Sequence, residues 1–256
     1  MRHVAVDIHN GGVRQASGEE MLLFTFYRST EPFQLSGRQH FARGERVIKQ
    51  RNGFVQRHGK DEWLMRTLTG WLTALLTQPL PLPDGGAFTL AGLPPYQVEM
   101  EFWFSLKQVP TRRLDKLVQH YTLGGTERAP LLAEDLNGML KGFIDLVFEH
   151  DGRYYVLDYK SNWLGADASG YDQPAMTQSM RDHRYDLQFT LYLFALHRLL
   201  KSRLPDYDYD RHIGGAVYVF LRGSHAPGNG VCVQRPDKAL MEELDMLFSG
   251  NQEKST

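Results

Sequence analysis

Cysteine occurs once in the 256 residues, at Cys232, which excludes an internal disulfide framework and a cysteine-rich zinc site. Charge of one sign is missing too. The 29 Lys and Arg against 30 Asp and Glu leave a formal charge of −1, so contact with nucleic acid depends on a local patch rather than on net attraction. Apolar runs such as residues 217–221 are far shorter than a bilayer span, and the first twenty residues have no apolar stretch of signal-peptide length. No G-x-x-x-x-G-K-[ST] phosphate loop occurs, so no ATP site is expected in this chain. These absences predict a soluble, cytoplasmic protein. What is present, 42% hydrophobic and 12% aromatic residues, suits a packed core.

The first sixty residues carry no clean period and are set apart from a domain spanning residues 61–256. "DEWLMRTLTGWLTALLTQ" places Trp63, Leu64, Leu68, Trp71, Leu72 and Leu75 at helical spacing, with Asp61 as N-cap and Pro79 as a stop. "YQVEMEFWFSL" (residues 96–106) alternates as a strand, and "TRRLDKLVQHY" reads as a short helix. Two strands follow at about 142–149 and 153–160, joined by a tight turn over His150, Asp151 and Gly152. Further on come a long helix over about 180–200, a buried strand over 214–223 and a final helix over 236–248. The order predicts an α/β or α+β fold with a mixed central sheet flanked by helices.

Three ionisable residues interrupt the two apolar strands: Asp145, Asp158 and Lys160. Alternation puts Asp158 and Lys160 on one face, and the tight turn brings Asp145 alongside. Two carboxylates a few ångströms apart repel, and one resolves the conflict by protonating or by sharing a divalent cation. Hard oxygen ligands favour Mg²⁺ or Mn²⁺. A lysine beside the pair can orient or deprotonate an attacking water and stabilise charge developing on a phosphate. An ordinary Asp–Lys ion pair on a surface hairpin remains the alternative at this point. On the long helix, Leu187, Leu191, Ala195 and Leu199 form an apolar stripe, and Arg184, Gln188 and Tyr192 a parallel polar one suited to phosphate oxygens. "DYDYD" (206–210) lacks the later ligands of a calcium loop, and Cys232 reads as packing.

The run "GFIDLVFEHDGRYYVLDYKSNWLG", with "HRYDLQFTLYLFALHRLL" and "YDYDRHIGGAVYVFLRG", closely resembles the C-terminal nuclease domain of RecB, the beta subunit of exodeoxyribonuclease V, in the PD-(D/E)xK superfamily. The resemblance is dense from about Leu140 to Gly223. It implies a restriction-endonuclease-like core and Mg²⁺-dependent attack of water on a DNA phosphodiester. By position, the metal-binding aspartates fall on Asp145 and Asp158, the catalytic lysine on Lys160, and a main-chain ligand on the Tyr159 carbonyl. The DNA-holding Q-x-x-x-Y element falls on Gln188 and Tyr192, with Arg184 one turn before. The implied partners are linear DNA, single- or double-stranded, and RecC- and RecD-like subunits. The family's early metal-binding histidine has no counterpart: Leu22 or Leu23 stands about there, His40 has the wrong context, and Glu20 is the candidate substitute ligand. The same residues therefore leave open a second reading, a nuclease-fold DNA- or protein-binding module without full catalysis.

Overall fold

The computed structural model describes residues 61–93, 95–224 and 230–249. Glu20, Leu22, Leu23 and His40 lie outside the described residues. Helix α1, Asp61–Thr77, forms where the apolar spacing predicts it and ends just before Pro79. It belongs to a unit that closes at Gln78. The elements from Pro79 onward belong to a second unit, described by itself below.

That unit is built on a mixed five-stranded sheet. A two-stranded ribbon, β1 (Leu80–Pro81) with β2 (Ala87–Phe88), precedes it. The sheet strands are β3 (Tyr96–Pro110), β4 (Asp135–His150), β5 (Arg153–Lys160), β6 (Ile213–Phe220) and β7 (Val231–Gln234), side by side in that order. All neighbours are antiparallel except β5 and β6, which run parallel. The parallel pair needs a crossover. It is made by α3 (Gln173–Asp182), α4 (Tyr185–Arg203) and the short α5 (Tyr209–His212). Helices α2 (Thr111–Tyr121) and α6 (Lys238–Phe248) complete the unit.

Local chemistry explains most of these elements. His150 pairs with Arg153, leaving Asp151 and Gly152 as a two-residue loop in which both φ angles are positive, 50° and 77°. That is the hairpin turn whose twist matches its strands, and an Asp-Gly pair adopts it readily. Strand β6 is buried at every position, as expected of a strand covered on both faces. On one face, Phe104 packs on Phe194 (5.1 Å) and Phe248 (5.5 Å), while Phe102 meets Tyr192 edge-on (5.8 Å). Gly142 makes that contact feasible, because a Cβ there would sit 2.3 Å from the Phe102 ring. On the other face, Phe88 of the ribbon packs on Phe148 (4.6 Å).

Two expectations need correction. Strands β3 and β4 run well past the predicted ends, to Pro110 and back to Asp135. The β3 extension crosses a register shift between Leu106 and Val109, past which Val109 is again buried, and on β4 Leu140 faces inward and Met139 outward. The predicted single helix over 180–200 is instead two helices, broken at His183 and Arg184. Arg184 takes a left-handed φ of 54°, which is uncommon for a non-glycine residue and cannot continue a right-handed helix.

Buried charge holds Arg184 there. Its Nε donates to Asp186 Oδ1 (3.1 Å), its Nη2 to Asp115 Oδ1 (2.5 Å) and its Nη1 to Ala129 O (2.9 Å). Arg128 Nη1 donates to the other oxygen of Asp186 (2.6 Å), and Arg128 Nη2 to the carbonyls of Thr122 (2.9 Å) and Gln119 (3.1 Å). All four charged side chains are buried. Two guanidinium groups and two carboxylates thus form a neutral, hydrogen-bonded cluster tying α2, the following loop and the start of α4 together. Removing one partner leaves a buried charge uncompensated. Asp186→Ala is expected to cost about 3–5 kcal/mol of unfolding free energy, measured as a lower urea midpoint at unchanged m-value.

Candidate active site

The site grows from the register of three strands. Leu146 pairs with Leu157, and continuing that register one step puts Asp145 opposite Asp158. Beyond the ladder the Asp145 side chain takes over the pairing role, accepting the Tyr159 backbone N–H on Oδ2 (3.0 Å). Asp158 and Lys160, two apart on β5, are 2% and 5% exposed. The Lys160 ammonium lies 2.5 Å from Asp158 Oδ2. That contact has the distance of an ion pair but not the geometry of a hydrogen bond, and Asp158 Oδ2 has no hydrogen-bond partner.

Lys160 is placed from its other side by α4. Its Nζ donates to Gln188 Oε1 (2.7 Å), which also accepts from the Tyr218 hydroxyl (2.9 Å) on β6. Gln188 Nε2 donates to the Tyr192 hydroxyl (3.0 Å). The ammonium also lies over the Tyr185 ring, 3.9 Å from its centroid, and 5.1 Å from that of Tyr218, a cation–π setting strengthened by burial. Tyr218 and Tyr185 escape a motif reading. The parallel pairing of Asp158 with Tyr218 is visible only once β6 is docked beside β5.

Asp145 carries the electrostatic strain. Burial, then the negative charge of Asp158, pushes its carboxyl up to about 7, against the pull of the Tyr159 N–H and of Lys160. Glu99 adds to the rise. On β3, Val98 and Met100 pair with Leu146 and Ile144, so Glu99 falls opposite Asp145. Its φ of 48° is the kind of backbone outlier that costs about 1–3 kcal/mol and persists at functional sites. Glu99 was missed in the sequence, where its one signal is an acid inside a strand. It influences Asp145 through charge, yet among the described residues no three acidic, His or Cys side chains converge at metal-binding distance.

The predicted residues therefore separate into two groups. Asp145, Asp158, Lys160 and the Tyr159 backbone come together as expected. The polar stripe does not form a strand-facing surface: Gln188 and Tyr192 are 0% and 1% exposed. Gln188 is turned onto Lys160 and Tyr218, and Tyr192 onto Gln188 and Phe102, so neither can reach DNA without leaving those partners. Arg184 belongs to the buried ion cluster, a correction to its expected place beside the strand. The stripe expected to be the core is the less buried one, with Leu187 partly covered and Leu199 exposed.

The donor set fits a hard divalent cation. Two crowded carboxylates, one with an oxygen that makes no hydrogen bond and the other resisting ionisation, gain from a shared positive charge. No helix among the described residues is long and apolar enough to cross a membrane.

A mixed five-stranded sheet flanked by helices is consistent with the fold of a nuclease class. Residues 60–251 match the PD-(D/E)XK nuclease superfamily, and the chain belongs to it. It is similar to the RecBCD enzyme subunit RecB of Escherichia coli, with 46% identity over 186 residues, 72% of this chain and 16% of that protein. The Haemophilus influenzae RecB subunit is 38% identical over 192 residues, 73% of this chain and 16% of that protein. The Mycobacterium tuberculosis subunit is 41% identical over 127 residues, 46% of this chain and 12% of that protein. The similarity is thus to a RecB-type nuclease domain, and the chain spans about a sixth of the length of the first two relatives.

The raised Asp145 carboxyl predicts a pH dependence in metal-free buffer. In the unfolded chain this group titrates near about 3.9, and in the folded protein at about 7. The folded state therefore holds the extra proton, and the associated stability is complete below about pH 4 and lost as pH rises to about 7. Asp145→Asn cannot ionise and is expected to melt above the wild type at about pH 8, the two converging near pH 4; thermal melts across this range check it.

Proposed function

We propose that this chain is a Mg²⁺-dependent DNA nuclease module of the RecB type, hydrolysing phosphodiester bonds in DNA end processing and recombinational repair. The observation that supports it most is the pair Asp145 and Asp158 held against each other beside Lys160 in a buried pocket of charge. Asp145, Asp158 and the Tyr159 carbonyl would hold the cation, with Glu20 the candidate further ligand. Bound there, Mg²⁺ or Mn²⁺ supplies Lewis-acid polarisation of the phosphate and neutralises its charge.

The remaining work falls to the chain's own groups. Asp158 and Gln188 fix the Lys160 ammonium between them. From there its N–H donors orient the attacking water and stabilise the negative charge that grows on the phosphoryl oxygens. Low exposure strengthens these interactions by excluding bulk water. Gln188 acts on DNA through Lys160 rather than by direct contact, and Tyr218 and Tyr192 hold Gln188 in turn. Docking onto RecC- and RecD-like subunits belongs to the same proposal, resting on the relatives alone.

A nuclease assay on linear single- and double-stranded DNA tests the reading. Wild type plus Mg²⁺ is expected to degrade both, chelation to stop it, and Asp158→Ala to lower the rate by at least about a hundredfold, the scale of losing one key electrostatic group. The variant should still fold, as shown by circular dichroism. A wild type that binds DNA but cleaves none supports the non-catalytic module instead.

A further inference from the structure

The chain leaving Lys160 at the end of β5 exposes an aromatic ring that the mechanism above does not use. Trp163, three residues beyond Lys160, is 67% exposed. An indole left in water forfeits one of the largest apolar burials available to a side chain. Trp103, the other exposed tryptophan among the described residues, is at least capped by Lys141, 4.5 Å from its ring. No ring or cation contact to Trp163 occurs among the described residues.

The exposure does not come from a loose loop. On the near side, Arg222 Nε donates to Ser161 O (2.9 Å), and the Tyr185 hydroxyl donates to Asn162 Oδ1 (3.1 Å). The Tyr171 hydroxyl then brackets the tryptophan: it donates to Asn162 O (3.1 Å) and accepts from Leu164 N (3.1 Å), the residues on either side. Tyr171 is itself buried, with its carbonyl accepting from Gly230 N (3.1 Å). Just beyond, Gly165 and Gly170 approach so closely that a Cβ at Gly165 would lie 3.0 Å from Gly170 Cα. The backbone on both sides of Trp163 is pinned while its side chain faces water.

A preordered exposed indole beside an exposed arginine is the chemistry of a single-stranded nucleic-acid subsite. Aromatic faces stack bases regardless of sequence, and guanidinium groups meet the adjoining phosphates. We propose that Trp163 stacks a base of the DNA strand next to the scissile phosphate, with Arg222 meeting a neighbouring phosphate. The inference rests on the nuclease reading and adds a substrate subsite to it. Tyr185 joins the two, since its ring lies under the Lys160 ammonium and its hydroxyl bonds the Trp163 loop. A strand seated on the indole is thereby placed relative to the lysine.

The test uses the full chain and a fluorescein-labelled single-stranded oligonucleotide, with binding read by anisotropy in chelator so that no cleavage intervenes. Trp163→Ala is expected to weaken binding roughly tenfold, within the range for loss of one base–aromatic stack. Trp163→Phe should keep most of the affinity, and Trp163→Leu, apolar without a π face, should resemble alanine. With Mg²⁺ the loss should appear in KM far more than in kcat, at unchanged melting temperature. If wild type binds and cleaves DNA while Trp163→Ala matches it in both, or if Trp163→Leu matches it, the stacking subsite is wrong and the nuclease reading survives. A wild type that neither binds nor cleaves DNA removes both.

Discussion

Two carboxylates brought together where water is scarce repel each other, and the geometry around Asp145 and Asp158 is arranged to hold them there regardless. The β4–β5 register, continued one step past its last pair, sets them opposite one another, and the Tyr159 N–H bonds Asp145 in place. One carboxyl responds by resisting ionisation, and the other leans on an ammonium. That ammonium is held by Gln188, and Gln188 by two tyrosines on different elements. The constraint runs outward to the start of α4, whose position decides where Gln188 lies.

The start of α4 is fixed by a second group of buried charges, and the contrast between the two is informative. Arg128 and Arg184 face Asp115 and Asp186, two of each sign, and both oxygens of Asp186 have donors. That cluster is balanced and closed, which is what a structural ion network needs. At the other site Lys160 faces Asp145 and Asp158, with Glu99 adding to the field and one oxygen of Asp158 lacking a hydrogen bond. Negative charge is in excess and satisfaction incomplete. Such imbalance marks a candidate functional site.

The hairpin was the most legible part of the chain because its signals are local. Asp-Gly specifies its turn, and period-two spacing puts Asp158 and Lys160 on one face, whatever the rest does. The polar stripe on α4 was misread for the opposite reason. Arg184, Gln188 and Tyr192 look like a solvent face, but helical spacing cannot say which stripe meets the sheet. Their partners Asp115, Lys160 and Tyr218 are distant in sequence, and those partners make burial affordable for polar groups. The break at Arg184 was hidden likewise, since a left-handed arginine is stable only with its carboxylates in place.

The sequence by itself determined most of the elements and brought Asp145, Asp158 and Lys160 forward as a candidate site: alternation, turn chemistry and residue type are properties of short stretches. Tertiary structure decided which polar side chains gather at the candidate site and which serve the fold. It moved Arg184 into the ion cluster, turned Gln188 onto Lys160 and set Glu99 opposite Asp145. Those outcomes depend on desolvation and charge at distances of a few ångströms between residues far apart in the chain, and that proximity exists only after the sheet and α4 have packed.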